Sequence, residues 1–365
     1  MSSLRFHPLT VQRVTPEAAG AVAIAFDIPA EMRETFSFEP GQFLTLRADI
    51  NGQDTRRNYS ISSPRSRLTQ LGELEIGIRP VEGGVFSNWA AQHIRAGDTL
   101  AVMPPEGRFT VKKQRALHRV GFAAGSGITP ILSIAASTLE EQTQSKFTLV
   151  YGNRRMNSVM FNEALQDLKD RYPDRFTMIH VLSRQAQEVD LLQGRIDGAK
   201  VRALVDTLLP AASMDEVFVC GPEAMIEATE QALLEAGVAA GRIHTERFAS
   251  SPAVAATVQG NTDKAGNTPA ATHAVALTLV LDGKQHDLPL APHEHVLDAA
   301  LNAGLDLPYS CKAGVCCTCR CKVLEGSVTM DKNFTLDASE MAQGFVLSCQ
   351  ARAATQRVVL SFDER

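Results

Sequence analysis

The sequence predicts a multidomain chain: an antiparallel β-barrel, then an α/β domain on a parallel sheet, then a small α+β domain. Three observations predict it. Short alternating strands run to about residue 110. Strands and helices alternate from about 115 to 248. Strand signals then return from 274, after a stretch without periodicity and just ahead of a crowd of cysteines. At 365 residues the chain also exceeds what one ordinary core accommodates.

The barrel reading rests on segments such as Phe43-Leu-Thr-Leu-Arg47, Asn58-Tyr-Ser-Ile-Ser62 and Leu74-Glu-Ile-Gly-Ile78. Turns such as Glu39-Pro-Gly41 and Val102-Met-Pro-Pro-Glu-Gly107 separate them, and a short helix is expected over 86–93. In the second region, apolar strands at 118–124, 146–151, 176–182 and 215–220 alternate with helical stretches at 129–140, 158–169 and 222–236. That rhythm implies crossovers onto a parallel sheet. Residues 250–272 are rich in Ala, Thr, Gly and Asn, with only Asp263 and Lys264 charged, and read as a flexible linker. A last strand signal, Val275-Ala-Leu-Thr-Leu-Val-Leu281, and a helix over 296–303 lead into the cysteines. The expected domain limits are 1–112, 113–249, 250–273 (linker) and 274–365.

Hydrophobic residues make up 44% and charged residues 21%, as in a soluble globular protein. No apolar run reaches the ~18 residues of a membrane span. Met1-Ser-Ser-Leu-Arg-Phe-His7 lacks the apolar core of a secretory signal, so a cytoplasmic location is expected. A net charge of −5 gives no reason to expect nucleic acid.

Five of the seven cysteines fall between Cys311 and Cys321. In such a chain crowding favours metal ligation over disulfides. The spacing Cys311-x4-Cys316-x2-Cys319, then twenty-nine residues, then Cys349 is the plant-type 2Fe–2S arrangement. Two irons need four thiolates; one tight loop supplies three, and a distant strand supplies the fourth. Ala313, Gly314 and Thr318 are small enough to let backbone N–H groups approach the sulfurs. The competing reading, a zinc site, usually carries paired C-x2-4-C knuckles, whereas Cys349 stands alone. Cys317 and Cys321 lie off the pattern and read as small half-buried thiols. Through Pro308-Tyr-Ser-Cys-Lys-Ala-Gly-Val-Cys-Cys-Thr-Cys319 and Val346-Leu-Ser-Cys-Gln350, residues 274–365 resemble the plant-type ferredoxin family, which implies a ferredoxin-like β-grasp domain.

In Arg57-Asn-Tyr-Ser60, alternation puts Arg57 and Tyr59 on one strand face. A guanidinium suits a phosphate and an aromatic ring suits a flat isoalloxazine, although a strand Tyr is usually packing. In Gly83-Gly-Val-Phe-Ser-Asn-Trp89, glycines followed by Ser at a helix start suit a pyrophosphate. Together these motifs resemble the ferredoxin–NADP reductase superfamily. The resemblance implies that Arg57 holds a flavin phosphate, Tyr59 stacks on the ring, Ser60 bonds near N5, and Gly84 and Ser87 hold the pyrophosphate of FAD.

Gly125-Ser-Gly-Ile-Thr-Pro130 follows a strand and opens a helix, where backbone N–H groups suit a pyrophosphate. Pro130 breaks the usual G-x-G-x-x-G fingerprint, but Gly125, Gly127 and Thr129 match the superfamily's version, which puts Thr129 near the nicotinamide. Cys220-Gly221-Pro222 ends a later strand at the same sheet edge. In the superfamily it borders the hydride path; a nucleophilic Cys220 would need a histidine partner that the sequence does not supply. Ser183-Arg184, with Arg195 assisting, takes the place that holds the 2′-phosphate in NADPH-using relatives; the alternative is a solvated loop arginine. An acid there would suit NAD instead. The closing His244-Thr-Glu-Arg-Phe248 offers Phe248 for the flavin face, with Glu246 nearby; alternatively Phe248 is a core residue.

The order of domains implies electron flow from NADPH to FAD to 2Fe–2S. The hydride path then runs past Ser60, Cys220, Glu246 and Phe248, with no conventional catalytic base. Over its whole length the chain is similar to reductase components of bacterial multicomponent oxygenases, which implies an oxygenase component as partner. Reduction of another oxygenase or a desaturase, or stand-alone NAD(P)H diaphorase activity, stays open.

Overall fold

The computed structural model describes residues 5–112, 117–248 and 275–364. The linker expected over 250–273 lies outside the described residues. Among them, no helix is long and apolar enough to cross a membrane.

The first sheet has six antiparallel strands: β1 His7–Pro16, β2 Val22–Asp27, β3 Phe43–Ile50, β4 Gln53–Ser60, β5 Glu73–Ile78 and β6 Thr99–Val102. Their order is β4-β3-β6-β1-β2-β5. Ile61 pairs with Ile76, and Ser62 N–H donates to Glu75 O (2.7 Å), so the end of β4 meets β5 and the sheet curls into a barrel. Helix α1 (Arg65–Leu71) and helix α2 (Val85–His93) lie between strands. Alternation sends Leu44, Leu46, Leu74, Ile76 and Ile78 into one apolar core with Phe26 and Phe36.

The second sheet is parallel: β7 His118–Ala124, β8 Lys146–Asn153, β9 Phe176–Leu182, β10 Glu216–Cys220 and β11 Ile243–Glu246, in the order β11-β10-β7-β8-β9. The crossover helices are α3 Ile128–Glu141, α4 Asn162–Arg171, α5 Gly198–Thr207 and α6 Glu223–Glu235. The chain moves outward from β7 to β9 and then crosses to β10. A switch point therefore falls between β7 and β10, where open α/β sheets bind ligands at the carboxyl ends of strands. The fourth helix starts at Asn162, not near 158 as expected. Phe161 takes a left-handed φ of 56° and donates its N–H to Glu17 Oε2 (2.7 Å), which ends the preceding turn.

Apart from Arg56–Asn58 of β4, barrel and parallel sheet fall within one compact unit. The Ser133 hydroxyl donates to Ser63 O (2.7 Å), and the Arg65 guanidinium pairs with Glu141 (2.5 Å). At the far, amino-terminal end of the sheet, the fully buried Arg119 and Glu216 pair at 2.9 Å. That end is a closed structural joint.

The C-terminal unit carries β12 Val275–Leu281, β13 Lys284–Leu290, helix α7 Val296–Asn302, β14 Arg320–Glu325, β15 Val328–Met330, helix α8 Ala338–Ala342, β16 Phe345–Leu347, β17 Ala351–Ala353 and β18 Arg357–Ser361. Five strands form a mixed sheet, β13-β12-β18-β14-β16, in which β12 and β18 run parallel. Val296, Leu297 and Ala300 of α7 pack on its apolar face. A sheet with one helix across it is the expected α+β, β-grasp arrangement.

Candidate functional site

The flavin motifs come together around α2. Tyr59 on β4 packs its ring 5.7 Å from Phe86, which meets Trp89 at 5.5 Å. Ser60 is buried, and Arg57 is exposed, its Nη1 donating only to the neighbouring Arg56 O (2.7 Å). Gly84 caps α2. A Cβ there would sit 2.5 Å from Val81 Cγ2 and 2.6 Å from Ser87 Oγ, so the turn requires glycine. Ser87 Oγ accepts from Val81 N–H (3.3 Å), which leaves its own proton for a ligand. A guanidinium with no ion pair among the described residues, a planar ring and a helix N-terminus preceded by glycine suit a flavin and its phosphates.

At the switch point Gly125–Gly127 follows β7 and Cys220-Gly221 follows β10. A Cβ on Gly127 would lie 2.1 Å from Cys220 O, so these two turns are in backbone contact. Thr129 donates its hydroxyl to Ser126 O (3.0 Å). Its methyl lies where a Cβ on Gly77 of β5 would fall (2.7 Å), which sets the start of α3 against the barrel. Tyr151 OH steadies the turn by donating to Gly125 O (2.9 Å). Pro222 caps α6.

Cys220 and Glu246 are register partners on β10 and β11. Burial, and then the neighbouring Glu246, hold the Cys220 thiol well above its ordinary pKa; at neutral pH it is no nucleophile. Burial also pushes Glu246 up to about 8, and its Oε2 is sealed from solvent without a hydrogen-bond partner among the described residues. Glu246 is therefore protonated in the fold across a range where it ionises in the unfolded chain. Its contribution to stability is whole below about pH 4.5 and is lost as pH rises toward 8. Between pH 5 and 8 the Tm of Glu246→Gln is expected to fall less than that of the unsubstituted protein; equal slopes would contradict this. Phe248 lies just beyond β11, half-buried against the apolar cluster of α3 and β7.

Past β8 and β9 the loops run side by side. Ser183 N–H donates to Asn153 O and Arg184 N–H to Arg154 O, both at 2.9 Å. Gln193 pairs with Leu182, which brings Arg195 to the same edge. Arg154, Arg155, Arg184 and Arg195 are all exposed, and none belongs to an ion pair among the described residues. Sequence reading singled out only the last two. It also missed Arg79: a Cβ on Gly125 would meet Arg79 Nη1 at 2.9 Å, so this half-buried guanidinium sits over the glycine turn.

In the C-terminal unit, Lys312, Gly314 and Cys317 take left-handed φ values of 50°, 76° and 63°, which coils the cysteine loop tightly. Ser348 N–H donates to Cys319 O (3.0 Å) and Leu297 N–H to Ser348 O (3.1 Å), so the loop, α7 and the segment of Cys349 are tied together. Ala313 N–H donates to Cys311 Sγ (3.3 Å). The thiols pair in twos. A hydrogen bond from Cys316 draws Cys311 down to about 7, and one from Cys319 lowers Cys349. Among the described residues no three His, Cys, Asp or Glu side chains surround a single ion position. The four thiols can supply the four ligands that a two-iron centre needs. Cys321 is wholly buried on β14, in the core with Leu347.

Comparison with known proteins agrees with this geometry. Three family models match in order: the oxidoreductase FAD-binding domain over residues 9–111, the oxidoreductase NAD-binding domain over 122–231, and the 2Fe-2S iron-sulfur cluster binding domain over 279–354. The chain is similar to a component of the 1,2-phenylacetyl-CoA epoxidase of Escherichia coli (strain K12), at 45% identity over 99% of this chain and 98% of that one. It is similar to the ferredoxin reductase component of 3-ketosteroid-9-alpha-monooxygenase from Rhodococcus rhodochrous, at 36% identity over 97% and 96%. Among solved structures, phthalate dioxygenase reductase shares the fold with a TM-score of 0.59 over 98% of both chains, at 21% identity.

Proposed function

Because this chain belongs to the ferredoxin–NADP reductase-related family of oxygenase reductase components, we propose that it draws electrons from NADPH and delivers them to the oxygenase of a phenylacetyl-CoA epoxidase. The proposed domain limits are 1–112, 113–249, 250–273 and 274–365, and the proposed location is the cytoplasm, where NADPH is held. The identity of the acceptor rests on the similarity to the Escherichia coli protein. A bound FAD would supply two-electron acceptance from the nicotinamide, and a bound 2Fe–2S centre would supply one-electron transfer.

The side chains orient and enclose. Arg57 holds a flavin phosphate, Tyr59 packs along the ring, Ser60 donates toward N5, and Gly84 and Ser87 open the pyrophosphate site. Arg79 supplies a further cation beside Gly125. Gly125, Gly127 and Thr129 receive the dinucleotide, while Cys220-Gly221-Pro222, Glu246 and Phe248 enclose the nicotinamide subsite. Two neutral groups there, Cys220 and Glu246, leave no charge to repel the dinucleotide. Cys311, Cys316, Cys319 and Cys349 ligate the irons.

The observation that supports NADPH over NADH is the cluster of unpaired guanidiniums past β8 and β9. Arg154, Arg155, Arg184 and Arg195, with the hydroxyl of Ser183, match a 2′-phosphate; Glu188 and Asp190 lie in the same loop but bind none of them. Replacing both Arg154 and Arg184 with alanine is expected to raise KM for NADPH roughly 10–100-fold, on the scale of two lost charge-assisted contacts, while KM for NADH stays within about twofold. Equal losses with both nucleotides would end the assignment.

A further inference from the structure

Phe161 holds a backbone conformation that its side chain disfavours. Its φ of 56° and ψ of 30° lie in the left-handed region, immediately before α4. Bulky residues rarely adopt this region, and where one does, its surroundings hold it there. Two contacts do so here. The first is Glu17, whose Oε2 accepts the Phe161 N–H at 2.7 Å although the two lie 144 residues apart. A carboxylate suits this place, beside the free N–H groups of a helix start. Glu17 is itself fixed at the end of β1. Its own N–H donates to Ala21 O (2.8 Å) across the turn Ala18–Gly20, where Ala19 and Gly20 are also left-handed (φ 59° and 74°).

The second contact is the ring. A Cβ on Gly77 of β5 would fall 2.8 Å from Phe161 Cε2 and 2.7 Å from Thr129 Cγ2. Gly77 is the register partner of Ala23 on β2, and Ala21 and Ala23 share an apolar cluster with Phe161, Ile128 and Met160. Small residues on two barrel strands thus make a shallow seat, which the buried Phe161 ring shares with the Thr129 methyl. The backbone of Phe161 belongs to the parallel-sheet half, yet both of its anchors, Glu17 and the seat at Gly77, belong to the barrel.

We propose that Glu17 and Phe161 form a clamp that fixes the parallel sheet on the barrel, and so fixes where Thr129 holds the nicotinamide relative to the flavin. Both are positioning residues that act through Thr129, and the inference rests on the nicotinamide subsite proposed above. A residue held in a disfavoured conformation by two contacts has one arrangement rather than a range. Without Glu17 Oε2, the Phe161 N–H loses its acceptor. The residue then relaxes toward an ordinary conformation and draws its ring off Gly77, and Thr129 loses the neighbour that shares its seat.

The test uses the full-length protein loaded with flavin. Three quantities are read: the rate of flavin reduction at saturating NADPH, KM for NADPH, and the long-wavelength charge-transfer absorption of a nicotinamide stacked on a flavin. Glu17→Ala is expected to slow flavin reduction roughly ten- to hundredfold, since a misplacement of about 1 Å can cost about a hundredfold. KM stays within about twofold, because the arginines past β8 and β9 are untouched, and the charge-transfer band weakens. Glu17→Gln, whose amide oxygen accepts the same N–H, keeps the original rate and band. Gly77→Ala drives the Phe161 ring and the Thr129 methyl off their seat with Glu17 intact, and should repeat the loss. A lowered Tm with an unchanged reduction rate and band in Glu17→Ala and Gly77→Ala is what a merely structural contact gives, and would overturn the clamp. Should Glu17→Ala fail to fold, Glu17→Asp decides: it keeps the charge but draws the carboxylate back by a methylene, so it must lose the rate that Glu17→Gln retains. An unsubstituted protein whose flavin NADPH does not reduce would instead overturn the nicotinamide reading beneath the clamp.

Discussion

Cys349→Ala is expected to leave a protein that still oxidises NADPH but no longer passes single electrons onward. Cys349 is the one proposed ligand outside the loop, at a turn that follows β16. Its neighbours tie that turn to Cys319 O and to α7, so the backbone of the site survives the change. What is lost is the partner of Cys319 and half the donor set of one iron. Removing an outer-sphere partner alone typically costs 10–100-fold in metal affinity, so loss of a ligand is expected to cost more than about a hundredfold. Iron and sulfide analysis should find the centre missing or grossly depleted. Reduction of a one-electron acceptor protein should fall roughly a hundredfold, while NADPH oxidation with a two-electron dye stays within about twofold. The control is Cys317→Ala: that residue lies off the ligand pattern, and its variant should keep the full iron content. Undiminished one-electron delivery by Cys349→Ala would mean that the centre is off the electron path.

Much of this was legible in the linear chain because the cues are local. The strands at 118–124 and 176–182 coincide with β7 and β9, since each is a short, mostly apolar run bounded by a turn. The cysteine spacing names its chemistry without any structure. The fifth helix was missed because Asp197-Gly198 reads as a turn. The Asp197 side chain in fact accepts from Lys200 N–H and caps a helix whose apolar residues, Val201, Leu204 and Val205, recur at helical spacing. The same cap preceding that pattern could have revealed it. Arg79 and Arg154 were invisible for another reason: each joins a site through a strand end that folding brings beside a distant loop.

The closest backbone approach in the nucleotide site sets a second large expectation. Gly127→Ala would place a methyl 2.1 Å from Cys220 O, 2.5 Å from Cys220 C and 2.9 Å from Gly221 N. All three are backbone atoms, so no side-chain rotation relieves the clash. Either the turn after β7 or the turn after β10 must retreat by an ångström or more. Overpacking of this kind typically costs about 1–3 kcal/mol of stability, which a unit of this size can absorb without unfolding. The functional cost is larger, because the retreat separates the two turns that together frame the proposed nicotinamide subsite. A misplacement of about 1 Å can cost about a hundredfold in rate. The expected result is a variant with full flavin and iron content, a Tm lower by a few degrees, and NADPH-dependent reduction slowed roughly a hundredfold. Flavin content should hold because the flavin motifs on β4 and α2 make none of the clashing contacts. Gly20→Ala is the matched control. Nothing lies within 4 Å of its Cβ, so it brings only the backbone cost of its left-handed φ of 74°. Gly127→Ala with an undisturbed reduction rate would show that the two turns need not touch for the nicotinamide to react.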